Sequence, residues 1–216
     1  MRNYVNIILI IVTNYSFASD QVPAPEQKHP ILLTNCTIHP VSSEEIRGGS
    51  ILFEKGIITG VARRIANLPE NTEIIDLKGK HVYPGLIAAA SVIGLTEIGA
   101  VAVTRDFSER GEVNPNVRAE VAYNPDSEII PVTRSNGITL AHSCPTGGII
   151  SGTSAIMMLD GWTWEKATLK APAGLHINWP NMGAVRYRRY RVSEEDAAKR
   201  REETLKKLDS AFDEAR

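Results

Sequence analysis

Cysteine is scarce in this chain. Cys36 and Cys144 are the only two; they stand far apart, and no C-x-x-C pair offers a cysteine-based metal-ligand spacing. Both lie in apolar runs, the usual setting of buried free thiols, and spacing alone does not decide whether they pair. Excess charge of either sign is also missing. The formal net charge is −1, which gives no basis for binding nucleic acid or an anionic membrane surface. No apolar run reaches the roughly 20 residues of a membrane span. Nor is there an internal repeat, and an apolar content of 43% excludes a disordered chain.

What is present begins with a secretory pattern. Arg2 supplies a positive start, Ile7 to Val12 an apolar centre, and Ser16-Phe17-Ala18 a small-x-small cleavage site. Residues 1–18 therefore read as a signal peptide, with export to a periplasm and no stable membrane anchor after cleavage. Residues 19–30 are a polar, proline-rich linker. Short strands follow over 31–83. Ile31–His39 is rich in β-branched residues, and Gly49–Phe53 and Ile57–Val61 flank the tight turn Glu54-Lys55-Gly56. Thr72–Leu77 is a further strand. At the far end, 193–216 reads as a charged amphipathic helix opened by Ser193-Glu194-Glu195-Asp196 and striped by Leu205, Leu208, Phe212 and Ala215. No C-cap glycine or closing proline follows, so the pattern predicts a chain that stops mid-helix.

Between these regions lies Lys80-His81-Val82-Tyr83-Pro84-Gly85-Leu86-Ile87-Ala88-Ala89-Ala90-Ser91-Val92-Ile93. Pro84-Gly85 breaks any continuing element, and the apolar run after it has the look of a strand buried on both faces of a parallel sheet. Ile138–Ser143 reads as a second parallel strand, after a helical piece opened near Asp126 and Ser127 and stopped by Gly137. An apolar stretch, 155–159, continues the layer. Residues 84–192 are thus an α/β region.

Gly79 to Ile87 resembles the approach to the first barrel strand of the amidohydrolase superfamily, the imidazolonepropionase- and dihydroorotase-like metal-dependent hydrolases. The resemblance implies a fold class of α/β type: a partial β-sandwich over 31–83, then the first part of a (β/α)₈ barrel. From Pro84 onward the chain holds about half of the roughly 250 residues of such a barrel, so the expectation is a fragment. The implied activity is hydrolysis of non-peptide C–N bonds in cyclic or acyl amides, and the implied partner a small-molecule substrate. Self-association is compatible with the sequence. The family's run continues as Asp-x-His-x-His, whose histidines bind zinc or another divalent metal. Here Ala88 stands at the Asp, Ala90 at the first His and Val92 at the second. Methyl groups cannot coordinate a metal, so no metal cofactor is expected for this chain, which on its own is expected to be inactive. The alternative is a non-catalytic periplasmic binding or scaffold relative.

Other residues are candidates by position. His142 and Cys144 lie at the C-terminal end of a predicted barrel strand, where such folds keep their sites, and Thr146-Gly147-Gly148 could offer backbone N–H groups to an anion. His176, with Asn178 and Trp179, either lines a pocket or ends a strand. Tyr187-Arg188-Arg189-Tyr190-Arg191 is read as a solvated arm.

Overall fold

A computed structural model describes residues 22–182 and 193–216. The leader pattern at 1–18 and the basic run Tyr187–Arg191 lie outside the described residues. Two separate sheets, few helices and long irregular connections make up the rest.

The first sheet gathers β1 (Ile31–Ile38), β2 (Ile46–Glu54), β3 (Ile57–Ala62), β4 (Glu73–Asp76) and β5 (His81–Val82). Its order is β3-β2-β1-β4, with β5 also paired to β1. The β2–β3 hairpin forms at the expected turn. Lys55 (φ 51°) and Gly56 (φ 75°) both take the left-handed backbone that a two-residue hairpin turn requires. Strands β4 and β5 run parallel to β1. Cys36, Ile38 and Ile51 form a small core here, joined by Leu33, Ile46 and Phe53. Ile57, Ile58, Ile74 and Ile75 stay exposed.

The second sheet has the order β6-β7-β8-β9: Leu86–Ser91, Ile138–Ser143, Ile150–Met158 and Thr168–Ile177. The expected pairing of 86–91 with 138–143 is present, and it is parallel. Between the two strands run three-residue and four-residue 3₁₀ turns and the helix α1 (Ile129–Ser135). Ser127 Oγ accepts from the Ile129 amide, and Gly137 (φ 80°) closes the helix as the sequence predicts. Beyond β7 the expectation of further parallel strands fails. β8 is antiparallel to β7, and β9 to β8. Connector length explains it: a parallel return needs about a dozen residues or more, whereas only 144–149 separate β7 from β8. The connection to β9 holds a single turn, α2 (Trp164–Ala167), capped by Thr163. The sheet is mixed.

A second correction concerns the apolar run. β6 is an edge strand, so Leu86 (61% exposed) and Ile87 (57%) face solvent instead of being covered on both sides. Tyr123, Ile130, Ala141, Met157 and Leu159 build the core on the other face of the β7–β8 pair. Helix α3 (Glu194–Glu214) is capped by Ser193, whose Oγ accepts from the Asp196 amide at 3.0 Å. It lays Leu208 and Ala211 on Ile149 and Ile150, while Phe212 and Ala215 of the expected stripe remain exposed. Both cysteines are free and buried.

Gly85 fixes how closely β6 approaches β7. A Cβ placed on it would stand 2.1 Å from Thr139 Oγ1 and 2.6 Å from Thr139 Cγ2. Gly85→Ala is expected to lower stability by about 1–3 kcal/mol, the usual cost of forcing a methyl group into occupied space. An unchanged midpoint in denaturant unfolding would show that β6 and β7 do not pair in this register.

Candidate functional site

β7 ends in His142-Ser143-Cys144, and the alternation of a strand puts His142 and Cys144 on one side of the sheet. Ser143, between them, points the other way, and its Oγ donates to the Ile93 carbonyl at 2.9 Å. Two strands over, β9 carries His176, paired with Gly152 of β8. Ser154 and Gly174 are the facing residues of the same two strands. A serine and two glycines leave the sheet surface low between β7 and β9, so side chains from both can meet above β8.

They do meet. The candidate ligand atoms of His142, Cys144 and His176 all lie within 4.8 Å of one another. The two imidazole rings are tilted by 55° with centroids 5.6 Å apart. Cys144 is 5% exposed, and both histidines are half-buried. These are the three residues that sequence position alone singled out.

Hydrogen bonds hold one imidazole in place. Ser154 is fully buried, and its Oγ lies 3.3 Å from the Gly174 carbonyl oxygen and 2.8 Å from His142 Nε2. Whichever of the two receives the hydroxyl proton, His142 Nε2 is engaged by Ser154. His176 is held below its ordinary pKa by burial and by the neighbouring His142, which favours its neutral form. Burial pushes the Cys144 thiol up, against a smaller opposite effect of its backbone hydrogen bond to Ser91. A thiol kept protonated in this way is a poor nucleophile, which argues against a cysteine–histidine acyl-transfer pair.

The surroundings hold the cluster in place. The Cys144 amide donates to the Ser91 carbonyl at 2.8 Å, tying the site to the end of β6. Asn178 Nδ2 reaches the Gly147 and Gly148 carbonyls, at 3.2 and 2.9 Å, and Ser151 Oγ at 3.0 Å. The Thr146-Gly147-Gly148 turn is therefore tied by its carbonyls to Asn178. Trp179 is exposed and takes no part. The other three histidines lie elsewhere: His39 and His81 share a 2.8 Å hydrogen bond on the first sheet, and His29 stands 3.6 Å from Glu73. An open cleft of about 520 Å³, bordered by Ser108, Glu109 and Arg118, is also separate from the cluster.

At the family's usual ligand positions the fit fails. Ala88 and Val92 are half-buried; Ala90 is exposed and takes a left-handed backbone (φ 48°) at an irregularity in the β6–β7 register. None of the three carries a donor atom, so a metal held as in that family has nothing to bind on β6.

Among solved structures the chain is similar to an amidohydrolase from Thermotoga maritima MSB8, with a TM-score of 0.63 and 30% identity over 68% of this chain. The chain is related to the amidohydrolase superfamily. The match covers 38% of that relative's length. A second amidohydrolase (29% identity, 31% of this chain, 16% of the other, TM-score 0.27) superposes too loosely to bear on the architecture. The same holds for a prolidase complexed with N-methylphosphonate-L-proline (20% identity, 52% and 25% coverage, TM-score 0.35). No protein-family model and no curated protein matches the sequence. The superfamily relationship and the loss of the usual ligand positions on β6 thus belong to the same chain.

Sequence position named the three residues but not their meeting. The signal available was the i, i+2 placement of His142 and Cys144 on one strand face. What was missing was β9, whose register brings His176 across.

Proposed function

We propose that this is an exported amidohydrolase-type protein acting on non-peptide C–N bonds of cyclic or acyl amides, with its site at the end of β7. One observation carries the reading: His142, Cys144 and His176 converge there. On this reading the β6–β7 parallel pair is the opening of a barrel-type sheet, and export follows from the leader pattern at 1–18. The substrate is a small molecule, reached from the half-buried side of the two imidazoles. A second reading, a non-catalytic binding or scaffold relative, is favoured by Ala88, Ala90 and Val92.

The test is a panel of cyclic and N-acyl amides offered to the wild-type protein and to His142→Ala. Turnover by the wild type is expected, with a loss of at least about 100-fold in the variant, the low end of what one positioned group contributes. If nothing on the panel is turned over, or the variant keeps its rate, the second reading takes its place.

A further inference from the structure

We infer that His142, Cys144 and His176 form a zinc site that replaces the pair missing from β6. The inference rests on placing the functional site at the end of β7, but not on turnover there.

The donor set has the right chemistry. Thiolate and imidazole together suit borderline-soft divalent zinc, and three protein ligands leave a fourth position for a water or substrate oxygen, as in open zinc sites. The geometry is nearly closed. With metal–ligand distances of about 2.0–2.3 Å, donors on a tetrahedral zinc stand roughly 3.3–3.7 Å apart. The observed atoms lie within 4.8 Å, a gap that small side-chain rotations remove.

Support around the donors is of the kind such sites carry. Ser154 engages His142 Nε2, so a metal would take Nδ1 while Nε2 carries the ring proton and donates it to Ser154; an outer partner on the second ring nitrogen is a usual feature of metal-bound histidine. Cys144 is anchored through its amide to Ser91 and follows directly on β7. The low surface over Ser154 and Gly174 makes the room. On binding, Cys144 loses its thiol proton to solvent, the thiolate sulfur and two imidazole nitrogens donate their electron pairs, and zinc stays divalent throughout.

The chain holds only two thiols, which makes the experiment sharp. The mature protein is loaded with zinc alone, dialysed, and analysed for metal; cobalt(II) is then used as a spectroscopic probe. One zinc per chain is expected, together with a thiolate-to-cobalt charge-transfer band and the visible bands of tetrahedral cobalt. Both should persist in Cys36→Ser, whose thiol is buried in the other sheet. Cys144→Ser should lose the charge-transfer band, and His176→Gln should weaken zinc binding at least about 100-fold, beyond the 10–100-fold that outer-shell changes cost. Should either variant fail to fold, the band in wild type and in Cys36→Ser decides alone, because no third thiol could produce it. Absence of stoichiometric zinc, absence of the band, or a band lost in Cys36→Ser overturns the inference. Metal bound without turnover overturns only the hydrolase reading. Turnover that survives removal of the metal by a chelator overturns the zinc role and leaves the hydrolase reading standing.

Discussion

Replacing Arg118 by methionine is expected to cost about 1–3 kcal/mol of folding stability, the range for leaving a buried acceptor without its partner. Glu120 is 2% exposed, and its Oε1 receives the Arg118 Nε proton at 2.7 Å. Its other oxygen, Oε2, has no hydrogen-bond partner among the described residues. The arginine is more than half exposed, so the charge that would be stranded is the carboxylate. That asymmetry sets the sign. Methionine keeps much of the side-chain length but leaves the Glu120 carboxylate without its donor, the source of that cost. The effect should largely vanish in the double variant Arg118→Met/Glu120→Gln, where no charge remains to be stranded. Urea unfolding of the wild type, both single variants and the double variant closes the cycle. A single-variant loss within about 0.5 kcal/mol, as for an ordinary surface change, would mean that the carboxylate is not buried as described.

The second large effect is on assembly. Residues 19–216 are expected to elute as an oligomer, or to be poorly soluble, because two apolar surfaces have no cover among the described residues. One is the β6 edge with Leu86 and Ile87; the other is the pair of edge strands of the first sheet, β3 with Ile57 and Ile58 and β4 with Ile74 and Ile75. An unpaired strand edge bearing large apolar side chains is a template for pairing with another chain. Leu86→Lys/Ile87→Glu should shift the elution volume toward the monomer without lowering the unfolding midpoint, since neither side chain is buried. A monodisperse monomer for the unmodified segment, checked by light scattering, would remove this argument.

How much of this could be read from the chain depends on which signal each element used. The β2–β3 hairpin was legible because Gly56 marks a turn by backbone preference. The Ser193 cap and the Leu208 stripe of α3 are local too, and so is the stop at Gly137. Strand direction is not local. The apolar residues of Ile150–Met158 give no sign of whether they return parallel or antiparallel; the short 144–149 connector does. β9 escaped for a different reason: Pro172 and Gly174 break its pattern. Both are tolerable in the outermost strand of a sheet, where an N–H can be spared and a side chain omitted. Since β9 positions His176, the cluster was hidden with it. The resemblance that pointed to Ala90 and Val92 named positions without donor atoms, but it could not say that His142, Cys144 and His176 come together.

Asn178 gives the cluster a property beyond its shape. Its backbone N–H bonds the Ile149 carbonyl at 2.8 Å, while its carboxamide holds the turn that follows Cys144. His176 and Cys144 are thus joined by a short circuit of hydrogen bonds as well as by way of the sheet. A guest arriving at the three donors therefore meets a backbone already set and has only side-chain rotations left to order, which keeps the entropy spent on the host small.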